Sequence, residues 1–244
     1  MRMLLLAGTN EARRISFALR LERSLSLVVS LAEPERRPQG FGWPVRIGGF
    51  GGEEAFRNWL LHEGVDAVVD ASHPFAHCMS TRAAAETRAL GIDYLRFLRP
   101  SWMPTEADRW TFLNRPEEAA DHIPRGATVF LATGRRDLTA FSNLEGRRIL
   151  CRIKDTPPAS FPIPGGRFVF QPGPFTVEAE IRFFEAAKVD WIVTRNSGGQ
   201  GSWPKLEAAR ALGLPVAMIR RPPQPDALKV NTVAETLNWV RRRL

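Results

Sequence analysis

Lysine is nearly missing: only four of the 34 basic residues in this 244-residue chain are Lys, so arginine carries almost all the positive charge. Cysteine is rarer still, with Cys78 and Cys151 the only two, and neither has a CxxC partner or metal-ligand spacing. His62, His77 and His122 show no such spacing with His73 either. A disulfide scaffold and a metal site are therefore excluded. No apolar run approaches the roughly 20 residues that a membrane helix needs. The opening Met1–Ala7 is too short for a signal-peptide core and runs straight into a glycine turn. A soluble, cytoplasmic chain with no membrane partner is expected. Tyrosine occurs once, as Tyr94, and Leu98 stands four residues on, which excludes the Tyr-x-x-x-Lys pair of short-chain dehydrogenases.

What is present is ordinary globular material: 44% hydrophobic and 25% charged residues, enough for one large or two small domains. The charge is less ordinary, +8 overall. Residues 1–124 hold a net −1 and residues 125–244 a net +9. Such a basic half invites a nucleic-acid reading, but that would bring lysine-rich surfaces, a helix-turn-helix or a stacking platform. None is found, so no nucleic-acid partner is expected. A monomer is entertained, with the oligomeric state left open.

Hydrophobic patterning predicts strands alternating with helices, which implies parallel sheets covered on both faces. The continuous apolar run Arg2–Ala7 suits a strand buried on both sides. Helices are predicted to about Glu22, through Leu61 and over Ala76–Leu90, with strands at Leu25–Leu31, Val45–Ile47, Ala67–Asp70 and Tyr94–Leu98. The alternation pauses over Pro100–Asp108 and resumes with strands at Thr128–Ala132, Arg148–Ile153, Trp191–Thr194 and Pro215–Ile219. The fold class is α/β: two Rossmann-like parallel-sheet lobes with a ligand cleft between them. The division expected is 1–124 for a nucleotide lobe and 125–244 for a basic substrate lobe.

Strand ends nominate the chemistry, because ligands of open α/β sheets bind beyond the carboxyl ends of the strands. Gly8, Thr9, Asn10, Glu11 and Ala12 form the first strand-to-helix turn, where unpaired N–H groups and the helix dipole favour a phosphate. It lacks the second and third glycines of GxGxxG, and an ordinary α/β turn remains an alternative. The second strand ends Ser30-Leu31-Ala32, with Arg36 and Arg37 in the following loop. Hydroxyl and arginine without an acidic tip suit a 2′-phosphate, so NADP(H) is favoured over NAD(H). A solvated loop competes. The fourth strand leads into Ala71-Ser72-His73-Pro74-Phe75, where Ser72 can bond a ribose or phosphate and His73 is the candidate proton donor. In the second half, Thr133-Gly134-Arg135-Arg136, Arg152, Arg195-Asn196-Ser197-Gly198 and Arg220 lie at or beside strand ends, with Lys205 following. Together they would form a cationic wall for an anionic ligand, although strand ends are also commonly polar.

These motifs, with the glycine loop Ile47–Gly52, Asp70-Ala71-Ser72-His73-Pro74-Phe75-Ala76 and the run from Pro204-Lys205 to Arg220-Arg221-Pro222-Pro223, resemble the precorrin-6A reductase family of cobalamin biosynthesis. The resemblance follows nearly the whole chain in order. It departs after the second strand, where the family's Leu-Ala-Gly-Arg is Leu31-Ala32-Glu33-Pro34-Glu35-Arg36-Arg37. It implies NADPH as cofactor, Gly48 and Gly49 beside it, and reduction of a ring double bond of precorrin-6A to give precorrin-6B. The substrate so implied is an anionic tetrapyrrole edged with acetate and propionate groups.

Overall fold

The computed structural model describes residues 1–33, 38–135, 138–153, 160–171 and 173–244. In chain order the elements are β1 (Arg2–Leu6), α1 (Asn10–Ala18), β2 (Ser26–Leu31), β3 (Val45–Ile47), α2 (Glu53–His62), β4 (Ala67–Asp70), α3 (His77–Leu90) and β5 (Asp93–Phe97). They continue with β6 (Trp110–Leu113), α4 (Ala119–His122), β7 (Thr128–Leu131), β8 (Arg148–Ile153), β9 (Gly166–Phe170) and α5 (Val177–Ala187). The chain closes through β10 (Trp191–Arg195), α6 (Pro204–Ala211), β11 (Val216–Ile219), β12 (Lys229–Val230) and α7 (Val233–Arg241).

Two six-stranded sheets result, β12-β5-β4-β1-β2-β3 and β6-β11-β10-β7-β8-β9, and every strand pairing is parallel. Each sheet runs outward from a central strand (β1 or β7), then reverses to the strand on its other side (β4 or β10). That reversal creates a switch point, where a crevice opens at the carboxyl edge of a doubly wound sheet. The apolar run of β1 explains the winding. Met3 and Leu5 pack with Ile15 of α1 and Trp239 and Val240 of α7. Leu4 and Leu6 point the other way, among Phe56 and Leu60 of α2 and Ala83 of α3. In the second sheet Phe130, Leu150, Ile192 and Met218 pack under Phe184 of α5 and Leu206 of α6. Threonine caps set the starts of three helices: Thr9, Thr176 and Thr232 accept from Ala12, Ala179 and Glu235 N–H groups.

The partition differs from the expected 1–124/125–244 division at both ends. Unit 1 comprises Met1–Pro100 and Pro222–Leu244, and unit 2 comprises Ser101–Arg221. The sixth strand explains both shifts. β6, which the sequence reading missed, pairs with β11 and draws residues from 101 onward into unit 2. β12, also missed, pairs with β5 and returns the last stretch to unit 1. This removes the charge asymmetry. Each unit holds 17 Lys and Arg against 13 Asp and Glu, a net +4 apiece. The acidic segment 101–124 dilutes one unit, and the basic carboxyl-terminal helix enriches the other.

Candidate functional site

At the switch point of unit 1 the turns after β1 and β4 are tied together. Thr9 Oγ1 accepts the Ala12 N–H at 3.1 Å and donates to Ala71 O at 2.8 Å. The hydroxyl expected to reach a ligand is thus occupied in joining the two turns. Backbone remains for an anion. Gly8 has φ +139°, and a Cβ built there meets nothing within 4 Å, so open space lies over the turn. A side chain would be strained at that angle and would fill the approach. Asn10 is exposed and Ala12 is buried beneath the turn. Glu11, a carboxylate where a phosphate is expected, is paired with Arg99 at 2.8 Å. That pairing offsets the repulsion it would otherwise exert.

Beneath the Ala71–Phe75 turn lies a buried network that sequence reasoning missed. Asp70 and Arg96 form an ion pair at 2.8 Å with both side chains fully buried. Asp70 also accepts the Ser72 N–H at 3.0 Å and the Tyr94 hydroxyl at 2.9 Å. Arg96 donates to Ser72 O and Oγ, and to Gln224 Oε1. Gln224 Nε2 in turn holds Pro74 O at 2.9 Å. Ser72, expected to face a ribose or phosphate, is 8% exposed with its Oγ among Arg96 and Ser80. It supports the turn from below. The available signal was register: Asp70 and Arg96 sit opposite each other on neighbouring strands. His73 is half-buried, and its Nδ1 accepts the Phe75 N–H at 3.2 Å. That bond assigns the ring proton to Nε2.

At the β2 tip, Ser30 is buried, Leu31 is buried and Ala32 is exposed. Arg36 and Arg37 lie outside the described residues. Ser30 Oγ accepts from Arg46 Nη1 at 2.8 Å, and Arg46 also donates to Gly48 O and Gly49 O at 2.9 and 3.0 Å. The sequence reading passed over Arg46, although it stands opposite Ser30 in the β2–β3 register.

Unit 2 gathers part of what was expected at its own switch point. Thr133, just past β7, is 2% exposed, and its hydroxyl has no hydrogen-bond partner among the described residues. Gly134 and the exposed Arg135 follow it, and Arg136 lies outside the described residues. β10 ends on half-buried Arg195, beyond it come buried Ser197 and half-buried Gly198, and past β11 the exposed Arg220, stacked 4.5 Å over Phe112. Three expected ligand residues are structural. Arg152 grips Glu180 through two bonds of 2.5 and 2.7 Å, sandwiched by the Phe130 and Phe175 rings. Asn196 clasps the Trp102 backbone through both ends of its amide, at 2.8 and 2.9 Å. Lys205 is buried, donates to Ser202 O at 2.6 Å and lies 4.9 Å over the Trp102 ring. A side-chain type read from sequence does not disclose the partner that consumes it. No cluster of metal-ligating residues occurs among the described residues.

The family profile described as precorrin-6x reductase CbiJ/CobK matches residues 2–241. A relative named precorrin-6A reductase from Rhodococcus erythropolis is 39% identical, over 98% of this chain and 97% of its own. One of the same name from Rhodobacter capsulatus is 37% identical, covering 98% and 95%. A solved structure, CobK precorrin-6A reductase, superposes with a TM-score of 0.91 at 36% identity, covering 99% of this chain and 97% of that one.

Proposed function

The chain belongs to the precorrin-6x reductase CbiJ/CobK family, and we propose that it performs the reduction its relatives are named for, on precorrin-6A in cobalamin biosynthesis, with NADPH as reductant. The whole-chain match carries this reading, and the open backbone over Gly8 at the unit 1 switch point fits a dinucleotide pyrophosphate. When bound, NADPH supplies a hydride to one carbon of a ring C=C bond while a proton goes to its neighbour, giving precorrin-6B.

The chain's own contribution is orientation and electrostatics. The first turn of α1 presents unpaired N–H groups toward the pyrophosphate, and Arg99 neutralises Glu11 beside it. The network of Asp70, Arg96 and Gln224 fixes the Ala71–Phe75 turn, so the groups of that turn are set before cofactor arrives. His73 is the candidate proton donor, with water or a substrate carboxyl group as its rivals, and charging it would forfeit the Phe75 bond. The pH profile of kcat in His73→Asn checks this: loss of one limb makes His73 the acid, and a profile that keeps its shape assigns the proton to its rivals. In unit 2, Thr133, Gly134, Arg135, Arg195, Ser197, Gly198 and Arg220 receive the carboxylates of the macrocycle. The Thr133 hydroxyl, without a hydrogen-bond partner among the described residues, supports that placement. Purified protein given NADPH and precorrin-6A is expected to consume nicotinamide absorbance and return a product heavier by two hydrogens. Absence of both changes would refute the proposal.

A further inference from the structure

Arg46 is held as a platform, and three observations say what for. Its Nη1 is committed twice, to Ser30 Oγ at 2.8 Å and Gly48 O at 2.9 Å. Its Nη2 reaches Gly49 O at 3.0 Å in an exposed bond, and the second Nη2 hydrogen takes no acceptor among the described residues. One face of the guanidinium lies on the Phe50 ring, 3.7 Å from its centre. The guanidinium is therefore fixed in position and plane while keeping donor capacity at its exposed end. It stands at the tip of β2, and no acidic side chain occupies Ser30, Leu31 or Ala32. In a doubly wound sheet that tip meets the adenosine ribose. A carboxylate there binds a free 2′-hydroxyl, and an arginine binds a 2′-phosphate. Beside it Gly48 has φ +112°, and a Cβ there would meet nothing within 4 Å, so the loop leaves room for a ribose or base.

We propose that Arg46 is the specificity-determining residue that reads the 2′-phosphate of NADPH, held in place by Ser30, the Gly48–Gly49 carbonyls and Phe50. The inference deepens the cofactor reading above and rests on it. A guanidinium immobilised before binding loses little further side-chain freedom when it meets the phosphate. A fork of N–H donors against a phosphate forms charge-assisted bonds, the stronger class.

The test is direct binding, by calorimetry, of adenosine 2′,5′-bisphosphate and 5′-AMP to the whole protein, ligands that differ only in the 2′-phosphate. Wild type should prefer the bisphosphate. Arg46→Ala should lose about tenfold to a hundredfold of that preference while binding 5′-AMP as wild type does. Arg46→Lys keeps the charge on one nitrogen but cannot span the same three acceptors, so its preference should fall between the two. It also serves if the alanine variant fails to fold. A wild-type preference that survives in either folded variant overturns the assignment and leaves the NADPH reading standing. Equal weakening of both ligands in the variants makes Arg46 a loop clamp only, which also overturns it. A wild type that ignores the 2′-phosphate overturns the NADPH reading and the inference together.

Discussion

A side chain is defined by the partner that consumes it, and Asp70 and Arg96 show how much rests on one such pair. Both are fully buried at the base of the Ala71–Phe75 turn. Removing one partner of a buried ion pair leaves an uncompensated charge, typically at a cost of about 3–5 kcal/mol. Arg96→Met should lose stability on that scale in urea titration, and adding Asp70→Leu should recover part of it. If the single variant is as stable as wild type, the pair does not hold the turn. The same consideration explains which site residues were legible. The open positions at Gly8 and Thr133 could be singled out because strand ends followed by glycine or hydroxyl residues are visible in the chain itself. Thr9, Ser72, Arg152 and Asn196 were placed at the right strand ends, yet Ala71, Arg96, Glu180 and Trp102 claim their polar groups. Those partners are remote in sequence, so no local pattern reveals them.

Among the elements, legibility followed burial. Ala67–Asp70 and Arg148–Ile153 were predicted to the residue, because buried apolar residues dominate them. The two strands missed are the outermost on one side of each sheet, β12 with two residues and β6 with only Leu113 fully buried. An edge strand needs little apolar patterning, so it leaves little trace in composition. The turn leading into β6 carries its own anchor. Asp108 accepts from Thr105 N–H and Oγ1 at 2.7 and 2.9 Å, and from Arg210 of α6 through two bonds of 3.0 Å. Burial pushes this carboxyl upward, but the bonds from Arg210 and Thr105 outweigh it and hold it below the ordinary carboxylate range. A carboxyl depressed on folding contributes stability above its unfolded pKa of about 3.9 and loses it as pH falls through the folded value. Asp108→Asn should therefore lower Tm at neutral pH and flatten the acid limb of stability against pH. An unchanged acid limb would show that the anchor contributes nothing.

For the whole molecule, net charge misled and geometry corrected it: two units at +4 each give no electrostatic reason to prefer one for an anionic macrocycle. What favours unit 2 is local, the arginines and hydroxyls past β7, β10 and β11. Arg135→Ala and Arg220→Ala should raise the KM for precorrin-6A severalfold and leave binding of the reduced nicotinamide cofactor unchanged, with added salt mimicking the effect by screening. Arg152→Ala should instead lower Tm, because it strands Glu180 in the interior. A KM increase confined to Arg152→Ala would reverse these roles. The sixth strands carry a different kind of consequence, one that concerns time. A ribosome releases the chain from its amino end, and domains generally fold as units while it does so. Unit 2 is contiguous and is complete once Arg221 has emerged. Unit 1 begins first yet is completed only after unit 2. β1 to β5 must wait, with Arg96 lacking Gln224 and one face lacking Trp239 and Val240, until the whole of unit 2 has been made. On the proposed placement of the reductant in unit 1, its site is complete only after Pro222–Leu244 has followed unit 2 out of the ribosome.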